Sequence, residues 1–97
     1  MPAYVVVEVE VTDAAAYERY KLAVAPTIKA HGGRYLVRGG KIETLEGDWD
    51  PGRFVILEFP TVAAARSWWE SEDYRGPRSI RQRSARSRLI IVDGIPG

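Results

Sequence analysis

The sequence predicts an α+β fold in which helices cover one face of an antiparallel sheet. Two segments, residues 4–11 and 54–59, alternate between two faces as strands do. Each is followed by a helical pattern that begins after a capping residue, Asp13 or Thr61. Because this strand–helix unit occurs twice within 97 residues, we expect two βαβ-like halves in a single domain that spans residues 1–97.

The first half of the chain is predicted to be a strand followed by a helix. Residues 4–11 (YVVVEVEV) place four valines on one face and two glutamates on the other, so the valine face should meet the helices. The helix is expected over residues 14–30, with Tyr17 and Tyr20 on its apolar stripe. Pro26 should kink this helix or separate its last turn.

The middle of the chain is predicted to form a hairpin followed by a bend. Residues 34–38 are expected to be a short strand, and Gly39 and Gly40 to reverse the chain. Residues 41–46 would be the partner strand. Residues 46–52 are rich in turn-forming residues.

The second half is predicted to repeat the strand–helix pattern. Residues 54–59 (FVILEF) are expected to be a central strand with Glu58 on the same face as Phe54. In the helix that follows, Trp69 should belong to the buried stripe, with Trp68 at its flank. The remaining predicted elements are a helical stretch interrupted at Gly76 and Pro77, a last strand and a tail, over residues 72–85, 88–93 and 94–97.

This order of elements predicts a ferredoxin-like sandwich with one sheet face left uncovered. That face would carry apolar side chains, namely Val6, Phe54, Ile56 and Ile90 or its neighbours. Such a face is too apolar to remain in water, and two-fold pairing is the commonest way to bury it. We therefore expect a homodimer whose sheets face each other.

The composition excludes several classes of function. The chain has 45% hydrophobic and 28% charged residues and a net charge of +1, so no general field attracts nucleic acid or anionic lipid. The lack of cysteine removes thiolate chemistry and fits a reducing, cytoplasmic location. The start of the chain has neither a basic segment nor an unbroken apolar run, so we expect no signal peptide and no membrane contact.

Two polar features of the sequence could carry function but have simpler explanations. His31 is the only histidine and precedes two glycines, so we expect it to cap a helix rather than to ligate a metal or haem, and we expect no cofactor. Six arginines lie within residues 75–88, but they do not share one helical face. We therefore favour a solvated helix over phosphate or RNA binding, with Arg81 as the one arginine that could turn inward.

Several stretches together resemble a known bacterial family. They are the opening MPAYVVVEVEVTD, the helix with Tyr17 and Tyr20, and the segments RYLVRGG, LEGDW, ILEFP and WWESEDY. In combination they resemble the family called domain of unknown function 1330. The resemblance implies a dimeric α+β barrel, in which two ferredoxin-like sheets pair. The broader superfamily includes cofactor-free monooxygenases, haem-degrading enzymes, decarboxylases and small-molecule-binding modules, so it does not assign a reaction.

Three glutamates, Glu8, Glu10 and Glu58, are expected on the uncovered sheet face. Carboxylates beside apolar neighbours must pair or become protonated, and Arg38 and Arg53 are the expected partners. We favour structural ion pairs over an acid–base site.

The candidate site is a pocket between the sheet and the helices. We expect it to bind a small, anionic organic ligand through Arg38, Glu58 and Arg81, with Tyr20, Trp49 and Trp69 as apolar walls. No residue identifies a nucleophile or a tuned general base, so no catalytic residue is assigned. The alternatives are a structural or interaction dimer with a filled cavity, and a cofactor-free monooxygenase-like or related enzyme.

Overall fold

A computed structural model describes residues 1–96 of the chain. Its elements are β1 (Ala3–Val11), α1 (Ala14–Ala30), β2 (Arg34–Arg38), β3 (Arg53–Phe59), α2 (Val62–Glu70), α3 (Glu72–Ser84) and β4 (Ala85–Asp93). The strands form one antiparallel sheet in the order β2-β3-β1-β4. This is the predicted ferredoxin-like α+β fold. The last residue of the predicted tail, Gly97, lies outside the described residues.

The register of the sheet sorts its side chains onto two faces. Val5 of β1 lies opposite Leu57 of β3 and is 3% exposed, because this face packs against the helices. Val6, the next residue, lies opposite Ile56 and Ile90 on the uncovered face. Ile90 is 59% exposed. The strand phases predicted from the alternation are therefore correct.

The two adjacent tryptophans of α2 have the opposite roles to those predicted. Trp68 is 1% exposed, whereas Trp69 is only half-buried. Trp68 lies three residues after the buried Ala65 and stacks on Tyr74, with ring centroids 4.1 Å apart. Its indole N–H donates to Thr27 Oγ1 at 3.0 Å, and this buried partner explains why Trp68 turns inward.

Both helices that contain proline are continuous. α1 includes Pro26 and α3 includes Pro77, so neither proline separates a turn. Proline has no backbone N–H, so one carbonyl of the preceding turn lacks its helical donor. Because Pro26 is exposed, that carbonyl can bond to water instead. At its end α1 has His31 as cap, with Nδ1 2.9 Å from the Thr27 carbonyl oxygen.

Residues 39–52 form an irregular loop, and the strand predicted over residues 41–46 does not form. Gly39 has a φ of +71°, and its N–H donates to the Phe54 carbonyl at 2.8 Å. The loop then crosses the end of the uncovered sheet face, where the Trp49 indole donates to Glu8 Oε2 at 2.9 Å. β2 pairs directly with β3, so residues 39–52 contribute no strand to the sheet.

None of the helices within residues 1–96 is long and apolar enough to cross a membrane.

Candidate anion-binding site

A small cavity lies between the helix-covered face of the sheet and the helices. Its volume is about 30 Å³, which is room for one or two water-sized groups. Apolar side chains from the strands and α1 form much of its wall. Its polar groups are three tyrosines and four cations: Tyr17, Tyr20, Tyr35, Lys21, Arg38, Arg53 and Arg81. Among the described residues, no aspartate, glutamate or histidine lines it.

Arg81 is the most buried charge of the cavity. It lies on the buried stripe of α3 with Tyr74 and Ser84 and is 3% exposed. Its Nε donates to Tyr74 Oη at 3.3 Å, and its guanidinium carbon is 5.6 Å from the centre of the Trp69 ring. Its buried Nη2 has no hydrogen-bond partner, and Arg81 takes part in none of the ion pairs of the described residues. In the part of the chain that the structure describes, the cavity therefore contains a desolvated cation without a counter-charge.

Arg53 and Arg38 reach the cavity from the strand ends that flank the loop. Arg53 precedes Val55 by two residues and so shares its face, with the guanidinium carbon 5.7 Å from the Tyr17 ring centre. Its Nε is buried and has no partner among the described residues. Gly39 makes room for it, since a Cβ there would overlap the Arg53 guanidinium. Arg38 is exposed and lies 4.3 Å from the Tyr35 ring centre.

The tyrosines of the cavity are neutral hydrogen-bonding groups near pH 7. Burial raises the pKa of Tyr17 and Tyr35, although nearby arginines oppose the shift. Burial also raises the pKa of Tyr20, whose hydroxyl lies 3.1 Å from that of Tyr74. A phenol with a raised pKa keeps its proton, so these groups can donate to an anion but cannot act as bases.

The glutamates of the uncovered face pair with arginines other than those predicted. Glu58 pairs with Arg34 at 2.7 Å, and Glu10 with Arg86 at 3.5 Å. Glu8 pairs with Arg88, directly opposite it in the register. Arg38 and Arg53 are not their partners because both arginines extend from the helix-covered face. Hydrogen bonds from the Trp49 indole and then from Arg88 lower the pKa of Glu8.

The structure brings together three of the six residues predicted to form the site. Arg38, Arg81 and Tyr20 line the cavity. Glu58 does not, because the strand alternation places it on the uncovered face with Arg34. Trp49 lies in the loop near Phe54, with ring centroids 6.0 Å apart. Trp69 is not among the lining residues of the cavity and instead lines a groove beside β4.

Arg53, Tyr17 and Tyr35 also line the cavity but are not among the six predicted site residues. Arg53 could have been found by extending the alternation of β3 back by two residues from Val55. Tyr17 was identified on the helical stripe, but its place beside Arg53 depends on how the helix packs on the sheet. Within residues 1–96, no group of three His, Cys, Asp or Glu side chains could hold a metal ion.

The fold and the sheet order define a ferredoxin-like α+β protein. The chain belongs to the family described as "Domain of unknown function (DUF1330)", whose profile matches residues 2–95. No curated protein sequence matches it.

Solved structures similar to this chain share its fold. The RPA0582 protein of unknown function from Rhodopseudomonas palustris is 25% identical, with a TM-score of 0.78 over 99% of this chain and 84% of that one. SnoaB, a cofactor-independent oxygenase from Streptomyces nogalater, is 12% identical, with a TM-score of 0.66 over 99% and 95% of the chains. A dimeric ferredoxin-like protein of unknown function from Jannaschia sp. CCS1 is 15% identical, with a TM-score of 0.67 over 97% and 100%.

Proposed function

We propose that this protein is a homodimer that binds a small organic anion in the cavity between its sheet and its helices. One observation within residues 1–96 carries the proposal: Arg81 is 3% exposed, its Nη2 has no hydrogen-bond partner there, and it lines a cavity with Arg38 and Arg53 but with no acidic side chain. The bound anion would supply the missing counter-charge.

The energetics of buried charge support this proposal over a purely structural role. A buried charge without a partner costs free energy, so we expect the ligand-free protein to gain stability when an apolar side chain of similar length replaces Arg81. A ligand carboxylate would instead accept charge-assisted hydrogen bonds from its guanidinium. The cavity of about 30 Å³ has room for the carboxylate group of such a ligand. Arg38 lines the cavity and is exposed to solvent.

Binding fits the residues of the cavity better than catalysis does. A cofactor-independent oxygenase is among the similar structures, but at 12% identity that likeness concerns the fold alone. Proton abstraction from a substrate would require a group with a pKa near the working pH. The titratable groups that line the cavity are lysine, arginines and tyrosines, and burial raises the pKa of Tyr17, Tyr20 and Tyr35.

The uncovered sheet face supports the dimer. Ile90 is 59% and Val92 is 43% exposed, with Val6 and Ile56 beside them in the register. A second copy of the same sheet would bury this apolar area through an isologous contact, and a dimeric protein is among the similar structures. The absence of cysteine from the sequence accords with a cytoplasmic location for such a dimer.

Thermal denaturation tests anion binding. We expect acetate, benzoate and related carboxylates to raise the Tm of the wild-type protein above its value in chloride at equal ionic strength. Arg81→Gln should lose this increase. Arg83→Gln is the matched control, because Arg83 is exposed on the same helix and its variant should respond as the wild type does. Equal responses of the wild type and Arg81→Gln would contradict the proposal.

Light scattering tests the dimer. The wild-type protein should have twice the protomer mass at micromolar concentration, and Ile90→Lys should shift it toward the monomer because it places a charge in the paired face. Leu22→Lys is the control, since Leu22 is 81% exposed on α1, away from the sheet. A monomeric wild-type protein would contradict this part of the proposal.

A further inference from the structure

We propose that the Tyr20 hydroxyl is a second donor to the bound anion, so that the cavity holds one carboxylate between this phenol and the Arg81 guanidinium. The inference rests on the proposed function and adds the group that is recognised, a single deprotonated carboxylate. Tyr20 is then a specificity-determining residue of the site and not only an apolar wall.

The direction of two hydrogen bonds beside the cavity carries this inference. Arg81 Nε lies 3.3 Å from Tyr74 Oη, which in turn lies 3.1 Å from Tyr20 Oη. A guanidinium can only donate, so Tyr74 Oη accepts from Arg81. Tyr74 is 0% exposed, and within residues 1–96 the Tyr20 oxygen is the one acceptor for the Tyr74 proton. Because a buried hydroxyl without an acceptor costs free energy, Tyr74 donates to Tyr20.

This direction leaves the Tyr20 proton without an acceptor in the part of the chain that the structure describes. The opposite direction would orphan the proton of the fully buried Tyr74 instead. Tyr20 lines the cavity with Arg81, and burial raises the pKa of its hydroxyl, which therefore keeps its proton at pH 7. Two donors without acceptors, the Tyr20 hydroxyl and Arg81 Nη2, thus belong to one cavity.

A single carboxylate matches these donors in number and in size. It has two oxygens that only accept hydrogen bonds, one for each donor, and the cavity of about 30 Å³ has room for that group. An amide of the same shape is uncharged and presents an NH2 group in place of one oxygen, so one donor would again lack an acceptor. The site should therefore prefer a carboxylate to the matching amide.

The rings that carry the two hydroxyls are held in place by packing. The Tyr74 ring stacks on Trp68 with centroids 4.1 Å apart, and the Tyr20 ring lies 5.4 Å from that of Tyr17. Because these rings are ordered in the ligand-free protein, the Tyr20 donor can meet an anion with little further loss of side-chain entropy.

Titration with acetate and acetamide, followed by NMR chemical shifts at pH 7 and one ionic strength, tests this inference. We expect the wild-type protein to bind acetate tenfold or more tightly than acetamide. Tyr20→Phe should weaken acetate binding tenfold or more, because it removes a donor to a charged acceptor. Tyr74→Phe should stay within threefold of the wild type, since the Tyr20 proton still reaches the ligand. A hydroxyl pair with a structural role alone would respond equally to the loss of either member.

Two further variants separate binding from folding. Tyr20→Phe leaves the buried Tyr74 proton without an acceptor, so we expect it to be less stable. The double variant Tyr20→Phe/Tyr74→Phe has no such orphan and should also bind acetate at least tenfold more weakly than the wild type. Tyr4→Phe is the matched control, because Tyr4 lies opposite Glu58 on the uncovered face, and it should bind acetate as the wild type does. Circular dichroism at the titration temperature checks that each variant is folded.

The outcomes separate the inference from the function on which it rests. If acetate does not bind the wild-type protein, or binds no more tightly than acetamide, the proposed function fails. If acetate binds and both variants that lack the Tyr20 hydroxyl stay within threefold, the function stands and Tyr20 is not a donor to the ligand. Equal losses in Tyr20→Phe and Tyr74→Phe would also refute the inference, because the pair would then only position Arg81.

Discussion

Replacing Arg81 by methionine should make the ligand-free protein more stable. Arg81 is 3% exposed, and its Nη2 has no hydrogen-bond partner within residues 1–96. Methionine keeps an unbranched apolar stem in the cavity and removes the guanidinium. A buried polar group without a partner costs about 1–3 kcal/mol. The replacement loses the long hydrogen bond from Nε to Tyr74 Oη, at 3.3 Å, but Tyr74 keeps the Tyr20 hydroxyl as a partner.

The expected net effect is an increase of about 1 kcal/mol in the free energy of unfolding, since the lost contacts offset part of the gain. For a domain of this size that corresponds to a Tm about 4–8 °C higher. Urea denaturation and calorimetry should be done in dilute chloride buffer, without carboxylates or phosphate, at a fixed protein concentration. Arg83→Met, at an exposed position of the same helix, should stay within about 0.5 kcal/mol of the wild type.

A loss of several kcal/mol in the free energy of unfolding of Arg81→Met would contradict this prediction. It would show that Arg81 stabilises the fold even when no anion is bound. When a carboxylate is bound, the wild type should become more stable than Arg81→Met, because only the wild type gains free energy from the ligand.

Three other predictions concern the packing and the loop. Thr27→Val should lower the free energy of unfolding by about 1–3 kcal/mol in urea denaturation, because the buried Trp68 indole loses its acceptor at 3.0 Å; an unchanged value would contradict that role. Gly33→Ala should be destabilised by about 1–3 kcal/mol in the same assay, since its Cβ would lie 2.6 Å from Phe59 Cε1, whereas Gly40→Ala, with open space around it, should not lose stability. The pKa of Glu8 is lowered from 4.5 in the folded protein, so its contribution to stability is present above about pH 4.5 and is lost as the pH falls through the lower folded value. Between pH 6 and pH 3 the wild type should therefore lose more stability than Glu8→Gln, and the fluorescence of Trp49 should change with it; identical acid profiles would count against the Glu8–Trp49 contact.

The sequence predicted the sheet better than it predicted the site. Alternation in β1 and β3 places Val5 and Leu57 inward and Val6 and Ile56 outward, because side chains of a strand follow a strict two-residue period. The capping residues Asp13 and Thr61 likewise mark helix starts, since each accepts a hydrogen bond from a backbone N–H of the first turn.

The remainder depended on tertiary contacts that the local pattern does not contain. Trp68 and Trp69 differ by one position on α2, and contacts with other helices, namely the Thr27 hydroxyl and the Tyr74 ring, hold Trp68 in the core. The loop over residues 39–52 has hairpin-like glycines at its start, but the contact of Trp49 with Glu8 directs it across the sheet. The meeting of Arg53, from a strand end, with Arg81, from α3, follows from the packing of the helical layer on the sheet.

The most direct test of anion binding is a crystal structure of the protein with acetate at saturating concentration. We expect a carboxylate in the cavity, with one oxygen accepting a hydrogen bond from Arg81 Nη2 at about 2.7–2.9 Å. A cavity that excludes the acid, with Nη2 bonded to a carboxylate or carbonyl of the protein itself, would contradict it.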